Sequence, residues 1–219
     1  MKKVIFLMFV MVGLVNLSFI VKDSQNDPKA QEILDAMSKK YKEMTAFKAK
    51  FTYTLENDQT KVKESADGEI LVKGSKFKLK LASQEIFNNG TTVWTYMKES
   101  NEVNISSYEP EEDDLNPTKI YTMYKKGYKY ILISEHNDAG KIYSTVDLEP
   151  LDRKTSQLSK VRIVINKKDK TVKSWKIFEK NGNRYTYTVK NFTPNVKAEE
   201  SEFSFDKAKY PGVEEIDLR

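Results

Sequence analysis

A polar–apolar alternation of period two returns along most of the chain, and it limits the possible folds more than any other feature. Phe47, Ala49, Phe51, Tyr53 and Leu55 alternate with Lys48, Lys50, Thr52 and Thr54. Successive side chains of a strand point to opposite faces, so this segment predicts a strand with one apolar and one wet face. The pattern returns at Ile70 and Val72, and at Phe77, Leu79 and Leu81 set among Lys76, Lys78 and Lys80. Further strands are predicted over 84–88, 91–97, 102–106, 128–135, 141–148, 160–166, 171–179 and 184–190. Turns are predicted at Asp67-Gly68, Asn89-Gly90, Lys168-Asp169 and Asn181-Gly182. Asn-Gly and Asp-Gly tolerate the positive φ angles of tight hairpins. About ten to twelve strands joined mostly by hairpins imply one large antiparallel sheet, which at that size curls or closes.

Two segments break the alternation. Asp27-Pro28 opens a helix, because Asp caps free amides and Pro fits the first turn. Ala30, Ile33, Leu34, Met37, Tyr41 and Met44 then follow at three- and four-residue steps, predicting a helix over 28–45. Asn116-Pro117 starts a shorter pattern with Ile120, Met123 and Tyr124 on one side, ending at Gly127. This second helix either covers a hollow in the sheet or caps a sheet edge. The fold class is therefore mainly β with some α (α+β). Between the two lies Glu109–Asp114, five acidic residues in six positions. It reads as a solvated loop, since calcium loops use spaced oxygens and a glycine turn.

The first 21 residues stand apart. Lys2 and Lys3 precede an apolar run from Val4 to Val15, and Asn16 and Ser18 follow. This is the pattern of a secretory signal peptide, cleaved near residue 21 to leave one domain over 22–219. The alternative is a retained anchor, as Val4–Val21 nears the lower limit of a helical span. Losing Lys2 and Lys3 lowers the net charge from +5 to +3. That is too mild, without a dense basic stripe, for a nucleic-acid partner. An exported chain without cysteine suits a Gram-negative periplasm.

Zero cysteines and one histidine exclude disulfides, a thiol nucleophile and Cys/His zinc sites. His136 sits in a Glu-His-Asn-Asp stretch and carries no recognisable relay. No phosphate loop, dinucleotide fingerprint, nucleophile elbow or zinc-protease motif is present. The chain reads as a non-enzyme without a cofactor. Its 12 Tyr, 11 Phe and 2 Trp either fill an ordinary core or line an apolar pocket. Only Phe6, Phe9 and Phe19 belong to the signal, so the aromatic supply belongs to the folded part.

Several segments in order resemble one family. Phe47-Lys48-Ala49-Lys50-Phe51 is similar to an aromatic-x-Ala-x-Phe first strand. Gly68-Glu69-Ile70-Leu71-Val72-Lys73, followed by Lys76-Phe77, resembles a G-x-[IL]-x-[VI]-[KR]-x-P-x-x-F element. Asn89-Gly90-Thr91-Thr92-Val93-Trp94-Thr95-Tyr96 resembles D-G-x-x-[LVI]-W-x-Y, with Asn101-Glu102-Val103 behind it. Leu148-Glu149-Pro150, Phe203-Ser204-Phe205 and Pro211-Gly212-Val213 match late elements. Together these resemble the periplasmic carriers of outer-membrane lipoproteins, the LolA family.

The resemblance implies an open, incomplete antiparallel β-barrel with helices forming a lid over an apolar cavity, and no catalysis. It implies acylated lipoproteins as cargo, an inner-membrane ABC transporter as donor and an outer-membrane acceptor. The protein would act as a monomer. The alternative is a lipid-binding or envelope-sensing half-barrel without transfer activity. Expected cavity residues are Phe51, Tyr53, Phe77, Leu79 and Leu81 from the sheet. Ile33 and Met37 join from the first helix, and Ile120, Met123 and Tyr124 from the lid. Phe77 takes the place of an aromatic at the cavity mouth, where a charge is expected to spoil transfer but spare the fold. The family's lid-latching arginine and the proline after it are here Gly74 and Ser75. Lys73, Lys76, or the hydroxyls of Tyr121 and Tyr124 are the candidate replacements.

Overall fold

The computed structural model describes residues 26–109 and 118–219. The expected signal peptide, the acidic residues after Glu109 and the Asn116-Pro117 helix start lie outside the described residues. Helix α1 spans Pro28–Lys42. Asp27 caps it: Oδ1 accepts from the amides of Lys29 (2.9 Å) and Ala30 (3.3 Å). Lys39, Lys40 and Lys42 occupy the last turn, where cations complement the helix dipole.

Twelve strands follow: β1 (Phe47–Asn57), β2 (Val62–Lys73), β3 (Lys76–Lys80), β4 (Gln84–Asn88), β5 (Thr92–Met97) and β6 (Glu102–Ser107), then β7 (Tyr128–Asp138), β8 (Lys141–Pro150), β9 (Leu158–Asn166), β10 (Val172–Glu179), β11 (Arg184–Pro194) and β12 (Glu214–Asp217). They form one unclosed sheet in the order β12-β6-β5-β4-β3-β2-β1-β11-β10-β9-β8-β7. Two hairpin runs meet where β1 pairs with β11. All pairs are antiparallel except β12, which lies parallel to β6. Core residues of β1–β3 and β7–β10 share one cluster with Leu34, Met37 and Tyr41 of α1. The sheet thus curls around the helix, and the expected open half-barrel of ten to twelve strands is the observed architecture.

An open sheet leaves a bare edge, and β7 is one of them. The chain entering α1 covers part of it. The Asp27 amide donates to the Tyr130 carbonyl (3.2 Å), and the Tyr130 amide to Asn26 Oδ1 (3.2 Å). The Leu132 amide donates to Asp27 Oδ2 (3.0 Å). One carboxylate therefore starts the helix and blunts the edge. The amide of Leu132, then those of Ala30 and Lys29, hold its pKa below the usual 3.8.

Two expectations need correction. Asp67-Gly68 is not a turn, because β2 runs straight through it. A Cβ on Gly68 would stand 2.5 Å from Phe51 Cζ and 2.9 Å from Leu81 Cδ2. The glycine makes room for the Phe51 ring, a use that glycine has within strands. The β1–β2 turn lies instead at 58–61, where Asn57 Oδ1 accepts from the amides of Gln59 and Thr60. The expected second helix is also absent among the described residues. Residues 118–122 form turns, and Met123–Lys125 a single 3-10 turn. Thr118, Ile120 and Thr122 are β-branched, which disfavours α-helix, and Gly127 at φ 78° ends the segment.

Gly68→Ala should destabilise the protein by about 1–3 kcal/mol in urea unfolding, the range for overpacking. In a Phe51→Leu background the penalty should shrink, and an undiminished penalty would refute the close contact as its cause. Because Asp27 has a depressed folded pKa, its stabilisation is complete above the unfolded value near 3.8 and is lost as pH falls through the folded value. Asp27→Asn should therefore flatten the acid limb of the stability–pH curve, measured by urea unfolding from pH 7 to 2. An unaltered acid limb would refute it.

Candidate functional site

The inward face of the sheet carries aromatic rings in contact. Trp175 stacks on Tyr187 (centroids 4.6 Å, 12°), and Tyr187 meets Tyr53 (5.3 Å) and Phe51 (5.9 Å). Burial, with Tyr53 and Tyr185 nearby, pushes the Tyr187 hydroxyl up to about 12. Further along, Phe47, Phe192 and Tyr41 form a second group at 5.3–5.6 Å. The Tyr41 hydroxyl accepts the Val172 amide at 3.1 Å, which fixes α1 to the start of β10.

Two β-bulges set this arrangement. On β11, Asn191 faces Lys50 and Val189 faces Phe51, so Lys190 is the extra residue. On β10, Val172 faces Ile165 and Ser174 faces Val164, so Lys173 is extra. Each bulge shifts the alternation by one residue. Phe192 and Val189 therefore both face inward, as do Val172 and Trp175.

Between this face, α1 and residues 118–125 lies an apolar hollow of about 30 Å³. Its lining includes Tyr41, Phe47, Phe51, Ile120, Trp175 and Phe192. The volume is far below the roughly 300–1,000 Å³ that ligand pockets span. Among the described residues, the aromatic rings thus mostly fill this part of the curl.

Of the ten expected residues, Phe51 and Ile120 line the hollow. Met37, Phe77 and Tyr124 are buried in the surrounding core, and Ile33, Tyr53, Leu79, Leu81 and Met123 pack against it. Sequence reasoning missed Tyr41, Phe47, Trp175 and Phe192 as lining residues. Two successive polar residues, Lys173-Ser174 and Lys190-Asn191, interrupt the alternation and were the available signal for the last two.

The 118–125 segment forms the cover. Tyr121 stacks on Tyr41 (5.1 Å, 14°), and Tyr124 meets Tyr130 edge-on (5.9 Å, 76°). The Tyr124 hydroxyl donates to Asp35 Oδ1 of α1 (2.5 Å). Burial and that carboxylate push the hydroxyl's pKa up. Tyr124 thus ties cover to helix. Lys73 and Lys76 are engaged elsewhere. Lys73 Nζ lies 2.8 Å from Glu200 Oε1 and donates to the Ala198 carbonyl (3.0 Å), while Lys76 pairs with Glu200 Oε2. These two lysines hold the Glu200 carboxyl down to about 2 and fasten the C-terminal segment to the β2–β3 hairpin. Among the described residues, no group of three acidic or His side chains could hold a metal ion. His136 rests against the Tyr143 ring (5.7 Å, 26°).

A family model described as outer membrane lipoprotein carrier protein LolA matches residues 42–206. The chain belongs to the LolA family. The match takes in β1 to β11 and the cover, and leaves most of α1 and all of β12 outside. Among solved structures, the chain is similar to an uncharacterized conserved protein from Thermus thermophilus (TM-score 0.58, 14% identity, 86% of this chain and 99% of that one). It is also similar to MucB (TM-score 0.50, 10% identity, 84% and 65%). A third is the LolA superfamily protein NE2245 from Nitrosomonas europaea (TM-score 0.44, 13% identity, 81% and 98%). The first two likenesses bear on fold alone. No curated protein matches the sequence. Within this LolA-family fold, the described residues leave a small apolar hollow under a cover tied to the helix by a tyrosine.

Tyr124→Phe should free the cover. A hydrogen bond to a charged group is worth about 1.5–3 kcal/mol, so amide exchange over 119–126 should quicken about tenfold or more while β8 and β9 stay protected. Unchanged exchange there would show that the bond does not hold the cover.

Proposed function

We propose that this LolA-family protein is a periplasmic carrier that takes the acyl chains of lipoproteins from an inner-membrane ABC transporter and delivers them to an outer-membrane acceptor. The observation that carries the proposal is an apolar hollow covered by residues 118–125, which meet it through Ile120, the stacking of Tyr121 on Tyr41 and the Tyr124 bond to Asp35. Each acyl methylene removed from water is worth about 0.8 kcal/mol, so an acylated protein needs such shelter to cross an aqueous space. The expected lining set acts with the rings around Trp175 once the cover lifts. No cofactor and no catalytic group takes part, and the carrier works as a monomer after loss of its signal.

A second reading is a lipid-binding or envelope-sensing module without transfer. The small volume of the hollow favours it, since such a module has no need of an empty cavity.

Phe77 is only 7% exposed, so a glutamate there would test the core before it tested transfer. Ile120 is nearly as buried (9% exposed) but belongs to the cover and not to a strand, so a charge there lifts the cover and leaves the sheet packed. Mature protein added to spheroplasts should release lipoprotein as a soluble complex, and Ile120→Glu should lose most of that activity with unchanged circular dichroism. Binding of a fluorescent fatty acid without lipoprotein release would favour the second reading. Neither activity would refute both.

A further inference from the structure

Beside the hollow, at the C-terminal end of α1, lies an open groove of about 680 Å³. Lys40 of α1, Lys141 of β8 and Lys168 and Lys170 of the β9–β10 turn line it, together with the two bulge residues Lys173 and Lys190. The one acidic lining residue is Asp169. Among the described residues, only Lys190 of these six enters an ion pair, with Asp67 at 2.8 Å. The other five enter no ion pair among the described residues, and Asp169 is the one carboxylate set against them.

Three observations make this more than a solvated surface. First, Val172, Val189 and Phe192 line both the groove and the apolar hollow. The charged and apolar spaces therefore share a wall. Second, both bulges sit at that wall, so the shift that turns apolar side chains inward leaves a lysine beside each of them. Third, the turn carrying Lys168 and Lys170 is built firmly. Asn166 Oδ1 accepts from the amides of Lys168 and Asp169 (both 2.9 Å), and its carbonyl accepts the Lys170 amide (2.9 Å). Lys170 itself stands at φ 59°, a left-handed conformation that glycine adopts more readily.

We propose that the groove receives the phosphate-bearing, anionic headgroup of a single amphiphile whose acyl chain enters the adjoining hollow. Lysines act as point charges that suit phosphate from many directions. A concave site with an apolar neighbour fits one lipid molecule better than a flat bilayer. This inference rests on the acyl-binding reading above and narrows it to negatively charged ligands.

Trp175 lines the hollow and reports on it, provided that the other tryptophan is removed as Trp94→Phe. In that background, a 14-carbon lysophosphatidylglycerol below its micelle concentration should quench Trp175 with about tenfold higher affinity than the lysophosphatidylcholine of equal chain length. Removing three exposed charges as Lys141→Gln, Lys168→Gln and Lys173→Gln should erase the difference and leave the lysophosphatidylcholine affinity unchanged. Exposed pairs each contribute little, so three together give about tenfold. Salt or inorganic phosphate should erode the preference in the parent and leave both affinities of the triple variant unchanged. Equal affinities in the parent would overturn the headgroup inference and leave acyl binding standing. So would equal losses for both lipids in the triple variant. No quenching by either lipid would overturn both readings. Co-sedimentation with phosphatidylglycerol vesicles without quenching would mean attachment to a membrane surface, and would overturn the single-lipid proposal.

Discussion

Asp27 carries the interaction on which the rest of the molecule leans. A sheet that curls without closing exposes an edge of unpaired backbone groups and an apolar inner face. Asp27 addresses both through one side chain, capping α1 with Oδ1 and accepting the Leu132 amide with Oδ2. The helix thereby starts at the edge strand and lies in the curl. There Leu34 and Met37 are fully buried, and Tyr41 reaches across to the Val172 amide. The cover rests on this helix and the neighbouring sheet. Tyr121 rests on Tyr41, and Tyr124 hangs from Asp35. Loss of the cap would therefore act on the cover as well as on the helix.

The two bulges do the second piece of organisation. Were β10 regular through Lys173, alternation would carry Val172 inward and Trp175 outward. Were β11 regular through Lys190, Phe192 and Val189 could not share a side. One bulged residue per strand keeps the rings on one side and places a cation at the rim of the same space. Apolar lining and charged rim thus share one cause.

Most of the sheet was legible because period two is a direct consequence of strand geometry. The segments at Phe47–Asn57, Lys76–Lys80 and Tyr128–Asp138 stand where their alternation put them. Helix α1 was equally open to reading from its cap and apolar steps. Gly68 was misread because Asp-Gly signals a turn locally, while the need for glycine there comes from Phe51, seventeen residues away in sequence and opposite in register. β12 was invisible because Glu214–Asp217 has no alternation and owes its strand form to β6. The site was read less well than the fold. Of the expected cavity residues, Phe51 and Ile120 stand at the hollow. Trp175 and Phe192 were missed because bulges are tertiary features that a regular period hides.

The small size of the hollow bears on how any acyl chain could be held and let go. A 14-carbon chain offers about 0.8 kcal/mol per buried methylene, a gross gain of about 10 kcal/mol. Admitting it requires Ile120 to leave the hollow and Tyr121 to leave Tyr41 of the helix, and re-exposing a large apolar side chain costs about 1.5–3 kcal/mol. The breaking of the Tyr124 bond to Asp35 adds to that cost. Closure therefore subtracts several kcal/mol from the affinity of an always-open pocket. It also gives a departing chain a competitor, since the protein's own cover refills the space. A filled hollow is then compatible with exchange: the side chains that exclude water from the empty protein are the ones that limit how tightly a guest is kept.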